Sequence, residues 1–232
     1  MRAMTAVRGL SALARGLVGA LLPVQCAGCR AWDEVLCQSC RCLVGGPARL
    51  ASLDGARGPI PLAAVGDYSG PLRRIVLTAK HSSRTDVTDV LHEAGAVLGT
   101  ALAQVLGVAA SPAAALGSPG GRVSSEGRSV DVWVVPAPSS WKRRLRGRQV
   151  ALPLARAAAR ALAASARPGV CVRVVDAVRL RVGASSQSGK VGAQRTVGRI
   201  GSMRSLAVPG HGALVVAVDD VVTTGATIRE ME

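Results

Sequence analysis

The chain contains no phenylalanine, and aromatic residues make up only 2% of its 232 residues. Apolar residues nevertheless account for 49%, so we expect a core built from alanine, valine and leucine. The length suits one α/β domain with a small additional module and is sufficient to bury a sizeable core. So few aromatic rings exclude a base-stacking platform of the kind that usually binds single-stranded nucleic acids.

Long apolar runs and acidic residues are also scarce. The longest early apolar run, residues 16–24, is far shorter than the roughly 20 residues that cross a bilayer, so we predict no membrane span. Lysine and arginine number 29 against 14 acidic residues, which gives a formal net charge of +15. This charge favours polyanionic partners, which include nucleic acids, anionic membrane surfaces and phosphorylated substrates.

The first 22 residues share some features with a signal peptide, because three arginines accompany a modest apolar stretch. Arg15 interrupts that stretch, however, and no small-x-small cleavage site precedes Pro23. The apolar residues instead recur near one face of a helix. We therefore predict an amphipathic helix that packs on the domain, with a membrane surface as the alternative.

Four of the six cysteines form two closely spaced pairs, in Cys26-Ala-Gly-Cys29 and Cys37-Gln-Ser-Cys40. Two such knuckles predict a zinc ion held by four thiolates, because each knuckle presents two sulfurs to one tetrahedral ion. Four protein ligands leave no open position for chemistry, so this Zn2+ would be structural. The alternative is a pair of disulfides in an exported protein.

The other two cysteines are less informative. Cys42 lies just beyond the second knuckle, and we interpret it as a bystander or an alternative zinc ligand. Cys171 lies in an apolar run and is predicted to be a core residue.

Composition divides the chain into an N-terminal helix with the zinc module over residues 1–46, a Gly- and Pro-rich linker over 47–61 and a domain over 62–232. Within the domain, apolar periodicity predicts strands from residue 62, over 130–135 and over 170–175, and helices ending near residue 80, over 87–105 and over 149–164. We therefore predict an α/β fold in which helices flank a parallel sheet. Lys80, at the end of its helix, is interpreted as a solvated cation that favours the helix dipole.

The segment from Leu214 to Thr227 carries the most specific pattern in the chain. Its five apolar residues, mostly β-branched, predict a strand buried on both faces of a parallel sheet. Asp219 and Asp220 follow where that strand should emerge, and the turn Thr223-Thr224-Gly225-Ala226-Thr227 comes next. Gly225 lets a ligand approach the backbone closely, and N–H groups at a turn or helix N-terminus favour an anion. The pattern indicates a ligand with a phosphate for the turn, and with sugar hydroxyls or a hydrated cation for the acids.

Two further polar segments are expected near this site. Cations follow the strand over 130–135, at Lys142, Arg143, Arg144 and Arg146. They can face a pyrophosphate at the carboxyl end of that strand or form a solvated basic surface. Residues 179–204 form a long polar stretch rich in Gly and Ser that contains Gln187 and Arg195. Loops of this length are usually functional or disordered, and we predict a mobile lid over the active site.

These segments, in this order, resemble the ComF family, the amidophosphoribosyltransferase-like proteins linked to competence and DNA uptake. The resemblance covers nearly the whole chain. It is carried by the cysteine knuckles, Tyr68-Ser-Gly-Pro-Leu with Lys80, Val135-Pro-Ala-Pro138, Arg146-Gly147, Gln187 with Arg195, and the segment of the two acids. That last segment is similar to the phosphoribosyl pyrophosphate (PRPP) loop of the Rossmann-like phosphoribosyltransferases.

The chain departs from the family pattern at three places. Arg148-Gln149 follow Gly147 where the family usually has an aromatic residue and then Asn, and Gly198 stands at a second position where Asn is usual. The sequence also stops at Glu232, within a helix that should continue into at least one further strand. We therefore expect that the domain is truncated at its C-terminus.

The resemblance implies a Rossmann-like phosphoribosyltransferase fold in a cytoplasmic protein with reduced cysteines. The implied activity, of the glycosyltransferase class, is displacement of pyrophosphate from PRPP by a nitrogen nucleophile with the help of Mg2+. Asp219 and Asp220 would contact the ribose hydroxyls as the catalytic residues, and the turn over 223–227 would bind the 5′-phosphate. The cations over 142–146 would neutralise the pyrophosphate.

A non-catalytic role is the alternative. In that hypothesis the protein handles single-stranded DNA during DNA uptake, together with other uptake proteins, through its basic loops and zinc module. PRPP would then be absent or regulatory. The net charge and the family association favour this alternative, whereas the intact acid pair favours the enzyme.

Overall fold

The structure is a computed structural model that describes residues 24–82, 85–110, 129–139, 144, 149–181 and 203–231. Within these residues the chain forms five helices and seven strands. The helices are α1 (Gln38–Val44), α2 (Gly70–His81), α3 (Thr88–Val105), α4 (Ala151–Ser165) and α5 (Ala226–Met231). The strands are β1 (Arg49–Gly55), β2 (Gly58–Ala64), β3 (Val130–Pro136), β4 (Val170–Val174), β5 (Val178–Leu180), β6 (Met203–Ser205) and β7 (Leu214–Val218). The predicted α/β class is confirmed.

Three parallel strands form the central sheet, in which β3 lies between β4 and β7. Val132 of β3 is paired with Val172 of β4 on one side and with Leu214 of β7 on the other. Helix α4 follows β3 and precedes β4, which is the crossover that parallel neighbours require. The strands are rich in valine because β-branched side chains pack well on a pleated surface. A parallel sheet flanked by helices is thus confirmed.

Helices α3 and α4 pack together along a seam of small residues. A Cβ atom at Gly95 would lie 2.5 Å from the Cβ of Ala157, and one at Gly99 would lie 2.2 Å from the carbonyl oxygen of Ala158. The two backbones therefore approach as closely as glycine permits. Beside this seam, the core consists of Val132, Val134, Val216, Val218 and the apolar side chains of the two helices. Close approach of small residues fills the interior without phenylalanine.

Two predictions of burial are wrong. Strand β7 is buried on one face only, because Val216 and Val218 point into the core whereas Val215 is 48% exposed. Val215 lines a cleft of about 740 Å3. Cys171 is exposed and not a core residue, because alternate side chains of the edge strand β4 point away from the core.

The segment predicted as a linker forms a β-hairpin. Strands β1 and β2 pair in antiparallel register from Arg49 opposite Ala64 to Gly55 opposite Gly58. Gly58 has a φ of 128°, which side chains other than glycine rarely allow and which the tight turn requires here. The glycines and prolines therefore mark a turn and its two short strands. The division of the chain into domains stays a prediction.

A second antiparallel pair forms at the two ends of the stretch predicted as a lid. Val178 of β5 lies opposite Ser205 of β6, and Leu180 lies opposite Met203. The polar stretch thus begins and ends at a paired stem. The two residues predicted for the lid, Gln187 and Arg195, lie outside the described residues.

None of the helices in the described part of the chain is long and apolar enough to cross a membrane. The amphipathic helix predicted within residues 1–22 lies outside the described residues.

Candidate functional site

The order of the three parallel strands creates a crevice beside the central strand. The chain passes from β3 to β4 on one side, and β7 lies on the other side of β3. Because β3 and β7 are parallel neighbours, their carboxyl ends lie side by side at one edge of the sheet, the edge at which open α/β sheets bind ligands. The backbone N–H of Ala137 donates to the carbonyl oxygen of Val218 at 2.7 Å, so the two strands stay paired up to this edge.

The two predicted acids emerge at this crevice. Asp219 and Asp220 directly follow β7, and the Asp219 carboxylate accepts a hydrogen bond of 2.8 Å from the backbone N–H of Asp220. Burial raises the pKa of Asp219 to about 7, and the charge of Asp220 adds to this effect. Acids at an ordinary strand end are in contact with water and are not desolvated. A buried carboxyl group that resists ionisation next to a second acid is instead typical of functional sites.

Lys80 completes a triad with the two acids. Its Nζ lies 2.5 Å from Oδ2 of Asp220, and the two side chains are only 18% and 14% exposed. The interpretation of Lys80 as a solvated cation is therefore wrong. Helix α2 ends near the carboxyl end of β7, so that the lysine side chain contacts Asp220 and not solvent. Local sequence could not show this contact, although the segment that carries the family resemblance includes Lys80.

The threonine-rich turn follows the acids and leads into α5. Gly225 has a φ of 72°, in the left-handed region that favours glycine. The Thr224 hydroxyl accepts a hydrogen bond of 3.4 Å from the backbone N–H of Ala226. Of the predicted turn residues, Thr223 to Gly225 lie in the turn next to the acid pair, and Ala226 and Thr227 begin α5.

Arg229 ties this turn to the β1–β2 hairpin. Its Nη1 donates to the carbonyl oxygen of Thr224 at 2.8 Å, and its Nε donates to the carbonyl oxygen of Asp54 at 2.7 Å. The side chain of Leu53 lies 3.4 Å from the position of a Cβ at Gly225. The hairpin is therefore part of the wall of the site. Arg229 was not predicted as a site residue, because a basic residue in a short helix has no distinctive local pattern.

Of the four cations predicted for pyrophosphate, the structure describes one. Arg144 lies beyond the carboxyl end of β3, its Nη2 is 3.5 Å from the carbonyl oxygen of Ser139, and its Nε is buried with no partner among the described residues. Lys142, Arg143 and Arg146 lie outside the described residues.

Two arginines that the sequence analysis did not single out lie near Arg144. Burial lowers the pKa of Arg179, and the positive charges of Arg144 and Arg204 lower it further. The structure thus brings together three guanidinium groups from segments well separated in the chain. Arg179 also forms an ion pair with Asp176.

The four cysteines of the two knuckles converge as predicted. Their sulfur atoms all lie within 4.8 Å of one another, and Sγ of Cys29 lies 3.4 Å from Sγ of Cys37. Four sulfurs about 2.3 Å from one tetrahedral ion would be about 3.8 Å apart, so the cluster fits such an ion. A Cβ atom at Gly28 would lie 2.6 Å from Sγ of Cys40, so a glycine is required for the knuckle to close.

The surroundings of the sulfurs act in opposite directions on two of the thiols. Burial opposes ionisation of Cys26, but backbone N–H groups of Cys37, Cys29 and Gly28 outweigh it and lower the thiol pKa to about 6. Burial and the neighbouring thiols raise the pKa of Cys40 to about 12. Cys42 is exposed and is not one of the four clustered cysteines.

The cysteine cluster is joined to the helix that carries Lys80. Cys26, Cys40 and Val44 share one buried cluster with Ile75 of α2 and Val90 of α3. Arg74 of α2 donates a hydrogen bond to the carbonyl oxygen of Gly28, and Arg41 pairs with Glu93 of α3 at 2.7 Å. The cysteine knuckles and α1 are therefore packed against α2 and α3.

Comparison with models of protein families, with curated proteins and with solved structures finds no match to this chain. The decisive feature of the site is an acid pair at the carboxyl end of β7, bonded to a partly buried lysine and followed by a glycine-containing turn.

Proposed function

We propose that this protein is a ComF-like phosphoribosyltransferase that binds PRPP with magnesium and transfers its phosphoribosyl group to a nitrogen nucleophile. The observation that carries the proposal is the position of Asp219 and Asp220. They stand at the carboxyl end of the parallel strand β7, beside the end of β3, and directly before the turn of Gly225. A full phosphoribosyltransferase fold belongs to the same proposal.

The residues at the site suit the two ends of PRPP. Carboxylates of Asp219 and Asp220 accept hydrogen bonds from ribose hydroxyls or from water on a metal ion. The hydroxyls and backbone N–H groups of the turn over 223–227 bind the 5′-phosphate. Arg144, with the cations that surround it in sequence, neutralises the pyrophosphate.

The reaction needs no protein nucleophile. Bond cleavage at the anomeric carbon transfers negative charge to the departing pyrophosphate, and fixed cations near that group stabilise the charge. Magnesium, held through Asp219 and Asp220 and the phosphates of the ligand, would withdraw further charge from the leaving group. The acid pair holds the ribose in position while the nitrogen nucleophile approaches, so positioning and electrostatics account for the catalysis.

Calorimetric titration with PRPP and Mg2+ tests this proposal. Asp220→Asn should lower the affinity about ten- to a hundredfold, because one charge-assisted hydrogen bond is worth roughly 1.5–3 kcal/mol. Asp67→Asn is the matched control, because Asp67 is 73% exposed in a surface ion pair and should bind PRPP like the parent. Folding of each variant is checked by circular dichroism. Parental affinity in Asp220→Asn would contradict the proposal.

The second candidate is a protein that handles single-stranded DNA during DNA uptake. It is favoured by the net charge of +15 and by the convergence of Arg144, Arg179 and Arg204. A parallel titration with a single-stranded oligonucleotide distinguishes the candidates. Tight binding of the oligonucleotide without any binding of PRPP would favour this second function.

A further inference from the structure

The ion pair between Lys80 and Asp220 places a fixed cation inside the candidate site. The lysine belongs to the last turn of α2, and the aspartate directly follows Asp219 at the end of β7. Their charged atoms are 2.5 Å apart, and both side chains are largely withdrawn from solvent. Because taking two charges out of water is costly, each charged group of such a pair depends on its partner.

The lysine changes what the acids can bind. Two neighbouring carboxylates without a counterion resemble the acidic half of a divalent-cation site, since Mg2+ and Mn2+ prefer carboxylate oxygen. Here one oxygen of Asp220 is engaged by an ammonium group. That group reduces the negative charge of the pair and repels any second cation placed nearby.

We propose that Lys80 prevents the acid pair from binding a divalent cation alone, so that the metal enters only together with an anionic sugar phosphate. This inference rests on the proposed function, because it concerns the same site. The phosphates of such a ligand supply the negative charge that Lys80 has offset. Lys80 therefore determines whether the metal binds as a free ion or only together with a phosphorylated ligand, and it is a specificity-determining residue.

The test is a titration of the purified full chain with Mn2+ in the absence of any phosphorylated ligand. Lys80→Met removes the ammonium group and retains an unbranched side chain of similar length. It should bind Mn2+ at least about tenfold more tightly than the parent, even if the interaction is screened as in water. The gain should disappear in the double variant Lys80→Met/Asp220→Asn.

Arg73→Met is the matched control for charge. Arg73 lies on the same helix, is exposed and stacks on Tyr68 at 5.9 Å, so its loss changes the net charge equally without uncovering the acids. It should leave Mn2+ binding unchanged. If Lys80→Met does not fold, Lys80→Gln is used with the same expectations, and folding induced in either variant by Mn2+ would support the proposal.

The outcomes separate the two proposals. A folded Lys80 variant that binds Mn2+ no better than the parent overturns the role of Lys80, even if the parent binds PRPP with Mg2+. A parent that already binds Mn2+ at a site abolished by Asp220→Asn overturns it as well. Failure of the parent to bind PRPP would overturn the proposed function, whereas a new Mn2+ site in Lys80→Met would still support the action of Lys80 on the acids.

Discussion

Asp219→Asn is expected to stabilise the ligand-free protein at alkaline pH while it weakens binding of PRPP. Burial and the neighbouring Asp220 raise the pKa of Asp219 from 3.8 to about 7. The folded protein therefore holds a proton on this group over a pH range in which the unfolded chain has lost it. The contribution of Asp219 to stability is greatest below about pH 4, falls between about pH 4 and 7, and is constant above.

The size of the effect follows from the two pKa values. They differ by about three pKa units, or roughly 4 kcal/mol at 1.36 kcal/mol per unit. Solvent contact of this partly exposed carboxyl and relaxation of the loop reduce the expected gain to about 1–3 kcal/mol at pH 8. The gain should be smaller at pH 5, where the folded parent keeps its proton.

Urea unfolding at pH 5 and pH 8 measures the difference between parent and variant. Asp220→Asn is the informative companion, because it breaks the ion pair with the partly buried Lys80 and is expected to be destabilising by about 1–3 kcal/mol. The reasoning is refuted if Asp219→Asn is no more stable than the parent at pH 8. It is refuted equally if the difference in unfolding free energy between Asp219→Asn and the parent is no larger at pH 8 than at pH 5.

Four further predictions concern the module, the helix seam, the turn and the surface charge. Elemental analysis should find one zinc per chain, lost in Cys29→Ser or Cys37→Ser, and two disulfides without metal in a reducing preparation would contradict the tetrathiolate site. Gly99→Ala should be destabilising by about 1–3 kcal/mol in urea, because its Cβ would lie 2.2 Å from a backbone oxygen. The control is Thr100→Ala at the exposed neighbouring position, which should alter stability by less than about 0.5 kcal/mol. Equal effects of Gly99→Ala and Thr100→Ala on stability would show that the helix seam has space for an added methyl group. Thr224→Val should weaken calorimetric binding of ribose 5-phosphate as well as of PRPP, since it removes a phosphate donor, and undiminished binding of both would place the phosphate elsewhere. Any single-stranded DNA binding should fall with salt at a log–log slope of about −0.7 per phosphate contacted, and salt-insensitive or sequence-selective binding would contradict an electrostatic interface.

Features that depend on short-range pattern were predictable from the sequence. Apolar periodicity located α3, β3, α4, β4 and β7 close to their observed bounds, because alternation and helical spacing follow directly from backbone geometry. The cysteine knuckles were predictable for a similar reason, since two pairs of sulfurs at this spacing suit one tetrahedral ion. The acid pair beyond β7 was located because it directly follows a recognisable strand.

Local pattern failed where neighbouring elements decide the outcome. The glycines and prolines of residues 47–61 are compatible with either a linker or a hairpin, and pairing of β1 with β2 selected the hairpin. Cys171 and Val215 lie in apolar runs, yet both are exposed. Burial of a strand face depends on what packs against it, and the residues that cover a strand are not encoded within it.

The site itself shows the same division between local pattern and tertiary contact. The sequence determined that two acids and a glycine-containing turn follow one strand, whereas only the tertiary structure placed Lys80 against Asp220. The tertiary structure also joined Arg229 to the carbonyl oxygen of Asp54, 175 residues away in the chain. Such contacts arise from the order of strands in the sheet and from the helix that ends beside it. A charged residue far away in sequence therefore becomes a partner only after the chain has folded.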